Sequence, residues 1–174
     1  HNMKILSKQR NSRMCMICGL DNEYGVNAPF YNMEDGSVMT VFRYKEQHQS
    51  YPGRVHGGMI TAMLDEMGLR SLWAKELSEE TFGVTISLDT KYRKPVPYET
   101  ELIGRGVVVK NTSHFIITDS YIMDKDGEVL ANGRIKYIKM DTQKIQEGIE
   151  VHEEMPYLVE DGRTEIEGPF FDNL

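Results

Sequence analysis

The sequence predicts an α+β fold in which an antiparallel sheet curls around one long, buried helix. Three observations predict it. A proline-free segment from Gly57 to Leu77 is apolar on nearly every side in its first half, with Met59, Ile60, Ala62, Met63, Leu64, Met67 and Leu69, so it needs cover all round. Four strand-like segments follow it, separated by strong turn signals. A shorter hairpin precedes it, and this order buries a helix best if a twisted sheet wraps it.

Taken in order, residues 4–13 carry Lys4, Lys8, Arg10 and Arg13 with few apolar partners and read as a short helix or a frayed end. A Cys-Met-Ile-Cys-Gly turn at 15–19 leads into Asn27–Met33. Residues 37–44 alternate as a strand, and Glu34-Asp35-Gly36 before them is hairpin-turn chemistry. Residues 45–54, with His48, Gln49, Ser50, Pro52 and Gly53, read as a loop. After the helix come strands at Phe82–Tyr92, Glu101–Lys110, Ser113–Asp124 and Glu128–Met140.

The chain of 174 residues fits one domain at 26–140, with an N-terminal segment at 1–25 and an acidic tail at 141–174. Met3 reads as the native start, with His1 and Asn2 a cloning remnant. Net charge is −7, but the tail holds ten acidic and two basic residues, leaving the body near neutrality. That distribution, without a basic stripe interleaved with aromatics, argues against nucleic acid as a partner. No apolar run reaches the roughly 18 residues of a membrane span, so no membrane partner and a cytoplasmic location are expected. The tail is expected to be irregular, packing through Tyr157, Phe170 and Phe171 on a subunit surface.

Cys15 and Cys18 are the two cysteines, spaced as half of a zinc knuckle. A structural zinc shared between chains, a redox pair and two reduced thiols in a tight turn all fit; with no second ligand pair in the sequence, reduced thiols and no metal are expected.

The chemistry concentrates at the helix start, His56-Gly57-Gly58, and at Asp65 within the apolar stretch. Burying a carboxylate costs on the order of several kcal/mol unless a neighbour compensates, so stability alone seldom selects it. The first amides of a helix lack intrahelical acceptors, and glycines let a ligand approach them, which suits an anion or an oxygen becoming one. Glu66 lies about 100° further round the helix and is expected to ion-pair or stay solvated.

Two segments carry a resemblance. Gln49-Ser50-Tyr51-Pro52-Gly53-Arg54-Val55-His56-Gly57-Gly58, with Asp65 nine positions after His56, and Tyr92-Arg93-Lys94-Pro95-Val96-Pro97 resemble the hotdog-fold acyl-CoA thioesterases of the phenylacetate-degradation subgroup, and within it the mammalian thioesterase-superfamily members. The resemblance spans about residues 26–140, while the His-Phe-Pro opening of the acyl-carrier dehydratases and the Asp-x-Asn-Pro-x-His run of the hydratases are absent.

The resemblance implies hydrolysis of acyl-CoA to a free acid and coenzyme A in an edge-to-edge homodimer, or a dimer of such dimers, whose sites use both chains. It implies Asp65 as general base or nucleophile and the Gly57 amide as oxyanion donor, with Gly58 allowing close packing and His56 supporting loop or substrate geometry. Many members carry asparagine where this chain has Ser50; Gln49, one position earlier, either orients water or the thioester or is an ordinary loop glutamine. Thr85 falls where the family places a serine or threonine, expected to act across the dimer beside the partner's Asp65.

Arg93 and Lys94, with Arg54 and Lys91 as weaker candidates, are placed to meet coenzyme A phosphates or to stay solvated. Met59 and Met63 either fill the core or line an acyl tunnel. The reaction requires no metal or redox cofactor. A non-catalytic acyl-CoA sensor is the alternative reading, and an acyl-CoA hydratase the third.

Overall fold

His56 starts the central helix by leaving its own backbone extended (φ −60°, ψ 132°) while its Nδ1 accepts the Gly58 N–H, which would otherwise lack a partner. The helix, α1, runs Gly57–Glu76 and stops where Leu77 turns left-handed at φ 51°. The computed structural model describes residues 2–140 and 154–168. Around α1 lie strands β1 (Asn2–Lys8), β2 (Tyr31–Met33), β3 (Val38–Phe42), β4 (Phe82–Tyr92), β5 (Leu102–Asn111), β6 (Phe115–Met123), β7 (Val129–Met140) and β8 (Glu165–Glu167). They form one antiparallel sheet in the order β4-β7-β6-β5-β3-β2-β1-β8.

The sheet wraps the helix because α1 is apolar on several faces at once. Ile60, Met63, Leu64 and Met67 are buried against Val38 and Phe42 of β3, Leu102 of β5, Ile122 of β6 and Leu130 and Ala131 of β7. Further along, Leu72 packs with Ile116, Ile135 and Tyr137. Burying each such side chain stabilises the fold by roughly 1.5–3 kcal/mol. No helix of the described residues is long and apolar enough to cross a membrane.

Two features position the site. Strand β4 is an edge strand, paired on one side by β7, and its pairing shifts register between Thr85 and Ser87, where Ile86 bulges out. The loop before α1 is tied down by buried His48, whose Nδ1 accepts the Lys45 N–H at 2.9 Å and whose Nε2 bonds the Tyr24 carbonyl at 2.6 Å. The His48 carbonyl in turn accepts the His56 N–H at 2.8 Å, so the helix start is fixed through the loop.

The N-terminal expectation is corrected. Residues 2–8 are neither a helix nor frayed but strand β1, because Met3 and Ile5 alternate inward while β2 and β8 satisfy the backbone on both sides. The tail expectation changes in part. The described stretch 154–168 packs on its own chain through β8, with Ile166 buried, and through the Asn11–Tyr157 bridge. Phe170 and Phe171 lie outside the described residues.

Candidate active site

Asp65 sits on the α1 face turned toward the β4 edge, half-buried, with its carboxylate accepting the Thr85 hydroxyl at 2.8 Å. Tyr137 of β7 bonds the Asp65 backbone carbonyl at 2.5 Å and so fixes that turn of the helix. Burial pushes the Asp65 carboxyl up from its ordinary value, while the Thr85 hydrogen bond opposes the shift by stabilising the charged form. Thr85 therefore meets the Asp65 of its own chain, which corrects the expectation that it acts on the partner's. The physical reason is that β4 lies directly beside α1 in the same sheet-wrapped unit.

One turn before Asp65 the same face continues as a ladder of hydroxyls. Thr61 Oγ1 lies 3.1 Å from Thr90 Oγ1 and 2.7 Å from Tyr92 Oη, and the Tyr92 hydroxyl donates to the Gly57 carbonyl at 3.2 Å. Tyr92 was read from sequence only as part of the strand exit; its hydroxyl contacts were not legible there. The Gly57 N–H, at the first position of the helix, has no acceptor among the described residues, whereas the Gly58 N–H is taken by His56. Gly57 is thus the free donor of the pair, and His56 is a helix cap.

Gly57 and Asp65 are eight residues apart on one helix, about 12 Å at 1.5 Å per residue. They are too far apart to act on one carbonyl group within a chain.

A cleft of about 330 Å³ opens beside Gly57, and Arg54, Tyr92, Arg93, Lys94 and Pro95 line it. Lys94 is ion-paired with Glu128, and Arg93 donates to Asn132 at 2.5 Å. Arg54 is exposed, without an acidic partner among the described residues. Lys91 is not part of this lining and pairs with Asp89 at 3.6 Å. A larger cavity of about 440 Å³, lined by Phe42, Lys45, Glu99 and Arg163 among others, shares no residue with this cleft.

The other candidates are dispersed. The Gln49 side chain is exposed with no hydrogen bond among the described residues, and its backbone bridges to Val55. Met63 is fully buried in the core and Met59 is half-buried against it, so the structure places both as core side chains. Glu66 points away from Asp65 and pairs with Arg70 at 2.9 Å.

The thioesterase superfamily model matches residues 52–131, which include the loop, α1 and the strands through most of the meander. Acyl-coenzyme A thioesterase THEM4 of Rattus norvegicus is 25% identical over 140 residues, which is 80% of this chain and 57% of that protein. This chain therefore spans a little over half the length of that relative. Acyl-coenzyme A thioesterase 13 of Homo sapiens is 23% identical over 100 residues, 57% of this chain and 70% of that protein. A solved thioesterase superfamily protein superposes with a TM-score of 0.64 at 26% identity, covering 72% of this chain and 63% of its own. The helix, the sheet order and the matched segment agree in giving this chain the hotdog fold of the thioesterase-superfamily proteins it resembles.

Proposed function

We propose that this protein hydrolyses acyl-CoA thioesters in an active site assembled from two copies of the chain. The observation that carries the proposal is the half-buried Asp65 carboxylate held by the Thr85 hydroxyl. The names of its relatives, acyl-coenzyme A thioesterases, support the substrate class.

In this reading the second oxygen of Asp65 takes a proton from water as the water adds to the thioester carbonyl. The developing oxyanion is received by the N–H of the partner's Gly57, a donor worth about 3–4 kcal/mol in comparable sites. The tetrahedral species collapses, the coenzyme A thiolate leaves, and the acid product carries the water oxygen. Arg54 and Arg93, beside the helix mouth, receive phosphate groups of coenzyme A.

The 12 Å separation within one helix is the reason for the second copy, and the edge strand supplies the means. β4 leaves one side unpaired by β7 and exposes Val84 and Ile86, each 49% accessible. Pairing β4 with the β4 of a second copy joins the two sheets edge to edge. The phenylacetate-degradation subgroup is part of the same proposal, carried by the Gln49–Gly58 and Tyr92–Pro97 segments.

The test is a panel of acyl-CoAs with a thiol-detecting reagent, using wild type and Asp65→Asn. Free thiol release that falls about a hundredfold or more in Asp65→Asn, with folding and dimerisation unchanged, supports the proposal. Binding without thiol release identifies a sensor, change confined to an enoyl chain identifies a hydratase, and undiminished turnover removes Asp65 from the mechanism.

A further inference from the structure

On the side of α1 away from Thr85, three metal-ligating side chains meet from distant parts of the chain. Cys15 and Cys18 occupy the turn before β2, and Glu66 reaches them from the helix. One ligand atom from each lies within 4.8 Å of the others, and Cys15 Sγ is 4.0 Å from both Glu66 oxygens. We propose that Cys15, Cys18 and Glu66 bind one thiophilic divalent cation of the zinc class, with a solvent molecule as fourth ligand.

The distances suit such an ion. Zinc bonds of about 2.3 Å to sulfur and 2.1 Å to oxygen, at a tetrahedral angle, separate the two atoms by about 3.6 Å. Closing the observed 4.0 Å takes a small rotation of one side chain. Two sulfurs and one oxygen select zinc-like ions over magnesium or calcium, which take oxygen ligands.

The turn sets a hydrogen-bonding group beside each sulfur. The Ile17 N–H points at Cys15 Sγ from 3.4 Å, and the Ser12 hydroxyl lies 3.3 Å from Cys18 Sγ, so each sulfur has a donor to share its charge. Gly19 closes the turn where a Cβ would fall 2.5 Å from the Cys15 carbonyl oxygen, so the following residue has to be glycine.

Charge balance supplies an independent argument. Two thiolates and a carboxylate around a dication carry a net −1. Arg70, 1% exposed and bonded to Glu66 at 2.9 Å, places +1 beside them and brings the assembly to neutrality. Its Nη1 is further held by Gln9 and the Arg10 carbonyl, each at 3.1 Å, so the guanidinium fixes the carboxylate as an outer partner fixes a metal ligand. The ion would fasten the N-terminal turn to α1 one residue from Asp65. This inference does not depend on the thioesterase reading.

The test uses the full chain, reduced and stripped with a chelator, then titrated with cobalt(II) as a spectroscopic probe. The expected result is a sulfur-to-cobalt charge-transfer band with tetrahedral visible bands, saturating at one ion per chain and abolished by zinc. Cys15→Ser should reduce the charge-transfer band by about half, and Glu66→Gln should keep the band while weakening affinity at least about tenfold. Zinc should raise the melting temperature of wild type at concentrations where it leaves Glu66→Gln unchanged. Wild type without a charge-transfer band, or with both thiols still open to alkylation in zinc, overturns the proposal. An affinity unchanged in Glu66→Gln, a variant with both sulfurs intact, also overturns it.

Discussion

The Thr85 hydroxyl donates to the Asp65 carboxylate at 2.8 Å, joining the edge strand to the central helix within one chain. A hydrogen bond to a charged group is worth about 1.5–3 kcal/mol when buried and less at an exposed edge, and this one engages one Asp65 oxygen, leaving the other for the proposed reaction. Thr85→Val should lower kcat about tenfold to a hundredfold with little change in the melting temperature, because Thr85 is exposed. Thr85→Ser, which keeps the hydroxyl, should restore most of the rate. Equal rates for valine and serine in steady-state thiol release would remove Thr85 from the site.

A site shared between chains predicts complementation. Gly57→Pro removes the amide donor at a helix position that accepts proline, and His56 already has the extended backbone that precedes one. Gly57→Pro and Asp65→Asn should each be nearly inactive alone. Unfolded together and refolded as an equal mixture, they should recover about a quarter of wild-type activity, since half the dimers are mixed and each has one intact site. If donor and base belonged to the same chain, mixing would recover nothing.

Gly68 lies where α1 presses against side chains of β6 and β7. A Cβ there would fall 2.1 Å from the Tyr137 hydroxyl and 2.6 Å from the Thr118 hydroxyl, and the Tyr137 hydroxyl is already engaged with Asp65. Gly68→Ala should destabilise the fold by about 1–3 kcal/mol in a denaturant titration, despite the higher helix propensity of alanine. A stabilised variant would show that α1 and β7 are free to separate.

The 154–168 segment is clasped by Asp161, which Lys8 and Tyr31 both contact. Burial pushes the Asp161 carboxyl up, but these hydrogen bonds outweigh it and hold the group below the usual carboxylate range. A depressed folded-state value contributes stability above the unfolded-state value, about pH 4, and that contribution is lost as pH falls through the lower folded value. Limited proteolysis of the segment should therefore accelerate below about pH 4 in wild type, and Asp161→Asn should show the faster cleavage already at neutral pH. Equal cleavage of the two at neutral pH would place the anchor elsewhere.

The helix and the four-strand meander were legible because their signals are local. Gly57–Leu77 became Gly57–Glu76 with Leu77 as its left-handed end, and Phe82–Tyr92 was unchanged. Strand β1 was obscured because Lys4 and Lys8 mask a short alternation, and because one of its partners, β8, comes from the far end of the sequence. Of the candidate site, the Asp65–Thr85 contact joins two residues that the family resemblance singled out. Which chain's Asp65 meets Thr85 was not legible, since spacing along a sequence does not say which side of an edge strand faces the helix. His48 gave no signal apart from its place in a loop, and its role as an anchor depends on Tyr24, a contact only the folded chain makes. The contact of Cys15 with Glu66 is non-local in the same way.

The bulge at Ile86 changes the phase of β4. Gly83 and Thr85 face the helix at odd numbers, and Leu88, Thr90 and Tyr92 face it at even ones. A perfectly alternating strand would show the helix either the hydroxyl that serves Asp65 or those that serve Thr61 and Gly57, but never both. Straightening β4 with Ile86 kept in the ladder would therefore turn either the acid's partner or the helix-mouth hydroxyls away from α1, although every side chain that forms them would remain.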